Sequence, residues 1–82
     1  MASEAATFLG GRITIDPEIC NGKPTIRGKR IAAQTVLEFL GAGETADEIL
    51  RQYPSLEPDD IRACLQFAAM LMDKRYDLAK VA

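Results

Sequence analysis

The stretch GETADEILRQYPSLEPDDIRACLQFAAMLM, residues 43–72, decides the fold. Thr45 is a good N-cap, and Glu48, three residues on, completes a capping box. Asp47 suits the positive end of the helix dipole. Ile49, Leu50 and Tyr53 give this helix its apolar face. Pro54 stops it, because the proline ring disfavours a helical conformation at Tyr53. Pro58 is welcome in a first turn and opens another helix, in which Ile61, Cys64, Leu65, Ala68 and Met72 follow helical spacing. A short helix, a brief turn and a longer helix make a helix-turn-helix.

Upstream, Val36, Leu37, Phe39 and Leu40 mark one face of a first helix, ended by Gly41 and Gly43. Before it the period is that of strands. In RITID, Ile13 and Ile15 alternate with Arg12, Thr14 and Asp16. Asn21-Gly22 supplies a turn, and TIRGKRI reads as a second extended segment bent at Gly28. Ile26 and Ile31 anchor this arm, leaving Arg27, Lys29 and Arg30 projecting. Residues 1–11 have no useful period and read as a flexible tail, with Phe8 and Leu9 placed to dock on a partner. The expected organisation is one domain over 12–82. It comprises a β arm (12–31) and helices at about 32–42, 45–53 and 58–76. The fold class is mainly α, a three-helix helix-turn-helix bundle of homeodomain-like or winged type with a short N-terminal β arm.

In the third helix the only polar residue from Ala63 to Met72 is Gln66. A helix apolar nearly all round is buried on two sides. With Ile61, Leu65 and Ala68 assigned to the core, Phe67, Met70 and Leu71 fall to a subunit interface, and a homodimer or dimer of dimers is expected. A chain of 82 residues buries only a modest core, which also favours association.

The net charge of −2 carries no general signal for nucleic acid, but it hides segregation. Arg12, Lys23, Arg27, Lys29 and Arg30 crowd the arm. Glu38, Glu44, Asp47, Glu48, Glu57, Asp59 and Asp60 fill the middle against Arg51 alone. Histidine is absent, which removes the commonest general base and metal ligand. The pairs Asp47-Glu48 and Asp59-Asp60 sit at helix starts, where capping explains them better than a catalytic dyad. Cys20 and Cys64 are too few for a zinc cluster or a disulfide scaffold, and Cys64 reads as a small core residue. A phosphate loop fails as well: five residues, not four, separate Gly22 from Gly28-Lys29, and Arg30 stands where a hydroxyl is needed. No catalytic, cofactor or metal site is expected. No apolar run approaches the length of a membrane span and no signal segment is visible, so a cytoplasmic location is expected. For DNA, Lys23, Arg27, Lys29 and Arg30 suit phosphates, and Arg62 and Gln66 suit base edges.

ITIDPEICNGKPTIRGKRI followed by AGETADEILRQYPSLEPDDIRACLQFAA resembles the bacterial family catalogued as domain of unknown function 433. The resemblance covers an ITxDP start, a GKPxIRGTRI-like segment with Lys29 where Thr is usual, a YPxL turn and a D-I-x-A-x-L helix. It runs from about Arg12 to Ala69. It implies a helix-turn-helix domain and a non-enzymatic, DNA-binding regulator, the antitoxin of a type II toxin–antitoxin module. The partners it implies are an operator DNA and a PIN-like ribonuclease toxin. The rival expectation is a homodimeric protein-interaction module without DNA binding.

Overall fold

The computed structural model describes residues 5–73. Three short strands, β1 (Ala6–Phe8), β2 (Ile13–Ile15) and β3 (Pro24–Ile26), form an antiparallel sheet in the order β1-β2-β3. Three helices follow, α1 (Ala33–Gly41), α2 (Ala46–Gln52) and α3 (Pro58–Met72). The architecture is a mainly α domain with a small N-terminal sheet. Residues 1–4 of the expected tail, and the expected run of the third helix through 74–76, lie outside the described residues.

The sheet is larger than the sequence predicts, because β1 falls in the segment read as a flexible tail. Register explains why it is there. Phe8 pairs with Ile13, and Ile13 pairs with Ile26. Partners across a ladder share a face, so the three side chains make one apolar row. Ile13 and Ile26 are fully buried. Phe8 meets Phe67 of α3 with ring centroids 5.4 Å apart, in a tilted arrangement favourable for two aromatic rings. The partner Phe8 docks on is thus its own chain.

Local rules account for the helix ends. Gly43 adopts φ +101°, its N–H donates to the Leu40 carbonyl, and the Glu44 N–H reaches back to Phe39, both at 3.0 Å. These two bonds are a Schellman cap, which needs the left-handed residue that glycine supplies without strain. Thr45 and Glu48 form the predicted capping box, with bonds of 3.2 and 2.6 Å. Between α2 and α3, Leu56 turns inward and is buried while Pro54 and Ser55 stay exposed. The core comprises Ile13, Ile26, Ala33, Val36, Ile49, Leu56, Ile61, Ala63, Cys64 and Phe67.

The inner face of α3 is rotated from the one assigned by spacing. Phe67 is buried, whereas Leu65 is half exposed. The expectation that Phe67 lies on a subunit interface is corrected here: its ring fills the space between α3 and the sheet. Met70 and Leu71 do lie on the exposed side.

Candidate functional site

The most strongly organised polar feature is a carboxylate. Asp60, in the first turn of α3, has no exposed surface. A charge so buried needs partners, and it has three. Arg27 donates from Nε to Oδ1 at 3.0 Å and from Nη2 to Oδ2 at 2.7 Å. Arg12 donates from Nη1 to Oδ1 at 2.9 Å. The Glu57 backbone N–H donates to Oδ2 at 2.8 Å, so Asp60 also caps its own helix. Arg12 additionally reaches Glu57 at 2.8 Å, and Arg27 donates to the Ser55 carbonyl at 2.9 Å. Asp59 lies 3.9 Å from Arg12 as well, so the node holds two cations and three anions.

Burial by itself pushes the Asp60 carboxyl up. The bonds from Arg27, the Glu57 N–H and Arg12 outweigh it and leave the pKa lowered. Arg12 and Arg27 are both raised, chiefly by their hydrogen bonds to Glu57 and Asp60 in the first case and to Asp60 in the second.

The node fixes the arm. Lys29 N–H bonds to the Ile26 carbonyl at 2.8 Å across a turn whose central residues, Arg27 and Gly28, have φ +49° and +72°. Positive φ at both positions is the hairpin-turn signature. Arg27 accepts this conformation while its own N–H bonds to the Arg12 carbonyl at 3.0 Å. The turn is thus pinned beside the first turn of α3.

The structure divides the residues expected to contact DNA. Arg27 does not project: its guanidinium is spent on Asp60. Lys23 and Arg30 are exposed and Lys29 is half-buried, and among the described residues no acid pairs with any of them. Arg62 and Gln66 are exposed one turn apart on α3, and Arg62 is held by Asp59 at 3.1 Å. Arg12 and Asp60 were missed as partners from the sequence. Among the described residues no group of three or more His, Cys, Asp or Glu side chains is placed to hold a metal, and no helix is long and apolar enough to cross a membrane.

The comparisons with known proteins bear on the same segment. The family model described as "Protein of unknown function (DUF433)" matches residues 13–68. The chain belongs to this family. The DUF433 match runs from the first residue of β2 into the C-terminal half of α3, so it takes in β2, β3, α1, α2 and, of the node, Arg27, Glu57 and Asp60, with Arg12 just outside it. The uncharacterised protein y4eO of Sinorhizobium fredii is 32% identical over 56 residues, which is 68% of this chain and 25% of that protein. The matched segment thus spans about a quarter of the length of that relative. No solved structure matches.

Proposed function

We propose that this DUF433 domain is a non-enzymatic, DNA-binding regulator of antitoxin type. In this reading α2, the Tyr53–Glu57 turn and α3 are a helix-turn-helix, and the β3–α1 hairpin is a basic arm beside it. Phosphate contact is asked of Lys23, Lys29 and Arg30, and not of Arg12 or Arg27, which are engaged with Asp60. The observation that carries the reading is the Arg27–Asp60 link, because it holds a basic turn against the first turn of α3. Exposed Glu57 and Asp59 at that helix end disfavour phosphates, so the arm and not the helix tip supplies the attraction. The implied protein partner is a PIN-like ribonuclease toxin.

Fluorescence anisotropy with DNA from upstream of the gene, across a salt series, tests this. Affinity should fall as salt rises, with the log–log slope diminished by about 0.9 for each phosphate contact removed with Lys23, Lys29 or Arg30. Binding unchanged in the triple alanine variant would refute the reading, as would no binding at low salt.

A second reading, a protein-interaction module without DNA binding, is favoured by the exposed Leu65 and Met70 on α3. Purification from the native cell followed by nucleic-acid detection separates the two. Recovery of a protein partner with no DNA, and no salt-dependent binding in vitro, would select the module.

A further inference from the structure

The solvent side of α3 carries a stripe that is complementary to itself when the helix is turned end for end. The exposed residues include Arg62, Leu65, Gln66, Ala69, Met70 and Asp73, the last capping the helix. With 3.6 residues per turn, Arg62, Gln66, Ala69 and Asp73 fall within about 60° of one another around the axis. Leu65 and Met70 flank this seam, one on each side. Asp60, Cys64 and Phe67 point the other way and are buried.

We propose that α3 pairs antiparallel with α3 of a second copy of this chain, about a two-fold axis passing between Phe67 and Ala68. This register sets Arg62 opposite Asp73 of the second copy, and Asp73 opposite its Arg62. Gln66 lies level with the second Ala69, while Leu65 shares one edge of the seam with the second Leu65 and Met70 the other edge with the second Met70, each pair about 7.5 Å apart along the axis. The stripe has its cation at one end and its anion at the other, equally far from the centre. A two-fold antiparallel pair turns that arrangement into two attractive contacts. A parallel pair would oppose Arg62 to Arg62 and Asp73 to Asp73. Ala69 at the seam lets the helix axes approach closely. Leu65, 50% exposed, and Met70, 46% exposed, are large apolar side chains that the pairing shields from water. Arg62, already held by Asp59, would lie between that acid and Asp73 of the second copy.

The dimer goes beyond the DNA-binding reading and does not depend on it. It covers Arg62 and Gln66 on the outer face of α3, so in the dimer that face does not enter a DNA groove and contact with DNA falls to Lys23, Lys29 and Arg30.

Sedimentation equilibrium of the full chain, with circular dichroism as the check on folding, tests the pairing. The unaltered protein is expected at twice its 9.0 kDa mass at micromolar concentration. Ala69→Glu puts a charge into the seam at an exposed helical position, and should give monomers with unchanged helicity. Arg62→Glu or Asp73→Arg alone should weaken the dimer roughly tenfold, since each alters two symmetric charge pairs. The double variant R62E/D73R should recover it, and the two single variants mixed should form heterodimers. An unaltered chain that stays monomeric at high micromolar concentration overturns the proposal. So does an Ala69→Glu variant that still dimerises, or a double variant no better than either single one.

Discussion

Arg27 grips Asp60 with both prongs of its guanidinium fork, at 3.0 and 2.7 Å, and so ties the hairpin turn to the first turn of α3. Arg12 meets the same carboxylate from just before β2. One buried acid thus joins two segments of the arm to the helix bundle. Removing it leaves two half-buried cations facing each other and a helix start with half of its capping box. Asp60→Ala is expected to cost on the order of 3 kcal/mol, a large share of the stability of so small a domain. Asp60→Asn keeps an oxygen for the Glu57 N–H and should cost less. Urea midpoints of the two variants against the parent protein check the ranking.

The same carboxylate sets a limit on the acid side. Its pKa in the folded chain is below the unfolded value of about 3.9, because the bonds from Arg27, the Glu57 N–H and Arg12 more than offset burial. A depressed folded pKa gives stability that is present above the unfolded pKa and lost as pH falls through the folded one. The urea midpoint should therefore vary little through Asp60 between neutrality and about pH 5, and fall below about pH 4. Glu48, lowered chiefly by the Thr45 N–H and also by the Thr45 hydroxyl, adds to the same limb. In Asp60→Asn the acid limb should be shallower. An identical limb in that variant would mean that other carboxylates govern it.

What was legible in the sequence followed local chemistry. Thr45 with Glu48, Gly43 and the Pro54–Pro58 spacing set the ends of α1, α2 and α3 without help from the rest of the fold. The buried face of α3 was not legible by apolar count, because a helix apolar nearly all round offers no contrast. One signal was present. Asp60, Cys64 and Phe67 lie at i, i+4 and i+7 on a single face, so burying Phe67 also buries an acid. That acid then demands cations, and Arg12 and Arg27 are in the arm. Strand β1 was illegible for another reason: three residues, Ala-Thr-Phe, carry too little pattern, and what holds them is pairing to β2 and the Phe8–Phe67 contact.

Phe67 separates the core of α3 from its outer face. Phe67→Ala should cost about 3–5 kcal/mol, the range for emptying a buried aromatic site. Phe67→Lys should unfold the chain rather than release folded monomers. On the outer face, Leu65→Ala should change the stability of the protomer by about 0.5 kcal/mol or less. Phe8→Ala should fall between these, since Phe8 is only partly buried yet supplies one ring of the pair. Thermal melts with matched circular dichroism spectra measure all four. A Phe67→Lys chain that is folded and monomeric would return Phe67 to the surface.

The two thiols should differ sharply in reactivity. Cys64 is fully buried, and burial, helped by the nearby negative charge of Asp60, pushes its pKa up to about 11. Little thiolate then exists in the folded state at neutral pH, and no reagent reaches it. Cys20 is half-buried in the turn ahead of β3. Under native conditions near neutrality, iodoacetamide should label Cys20 first, with Cys64 following only as the chain opens. Peptide mapping by mass spectrometry reads which site is modified, and added urea should accelerate Cys64 alone in proportion to the unfolded population. The shift also acts on stability. A folded pKa raised above the unfolded value of about 8.5 gives a contribution that is complete below that value and lost as pH rises toward about 11. The urea midpoint should fall over that alkaline range, and fall less in Cys64→Ala. Equal labelling of both cysteines in native buffer would show that the space between α3 and the sheet opens far more readily than its packing indicates.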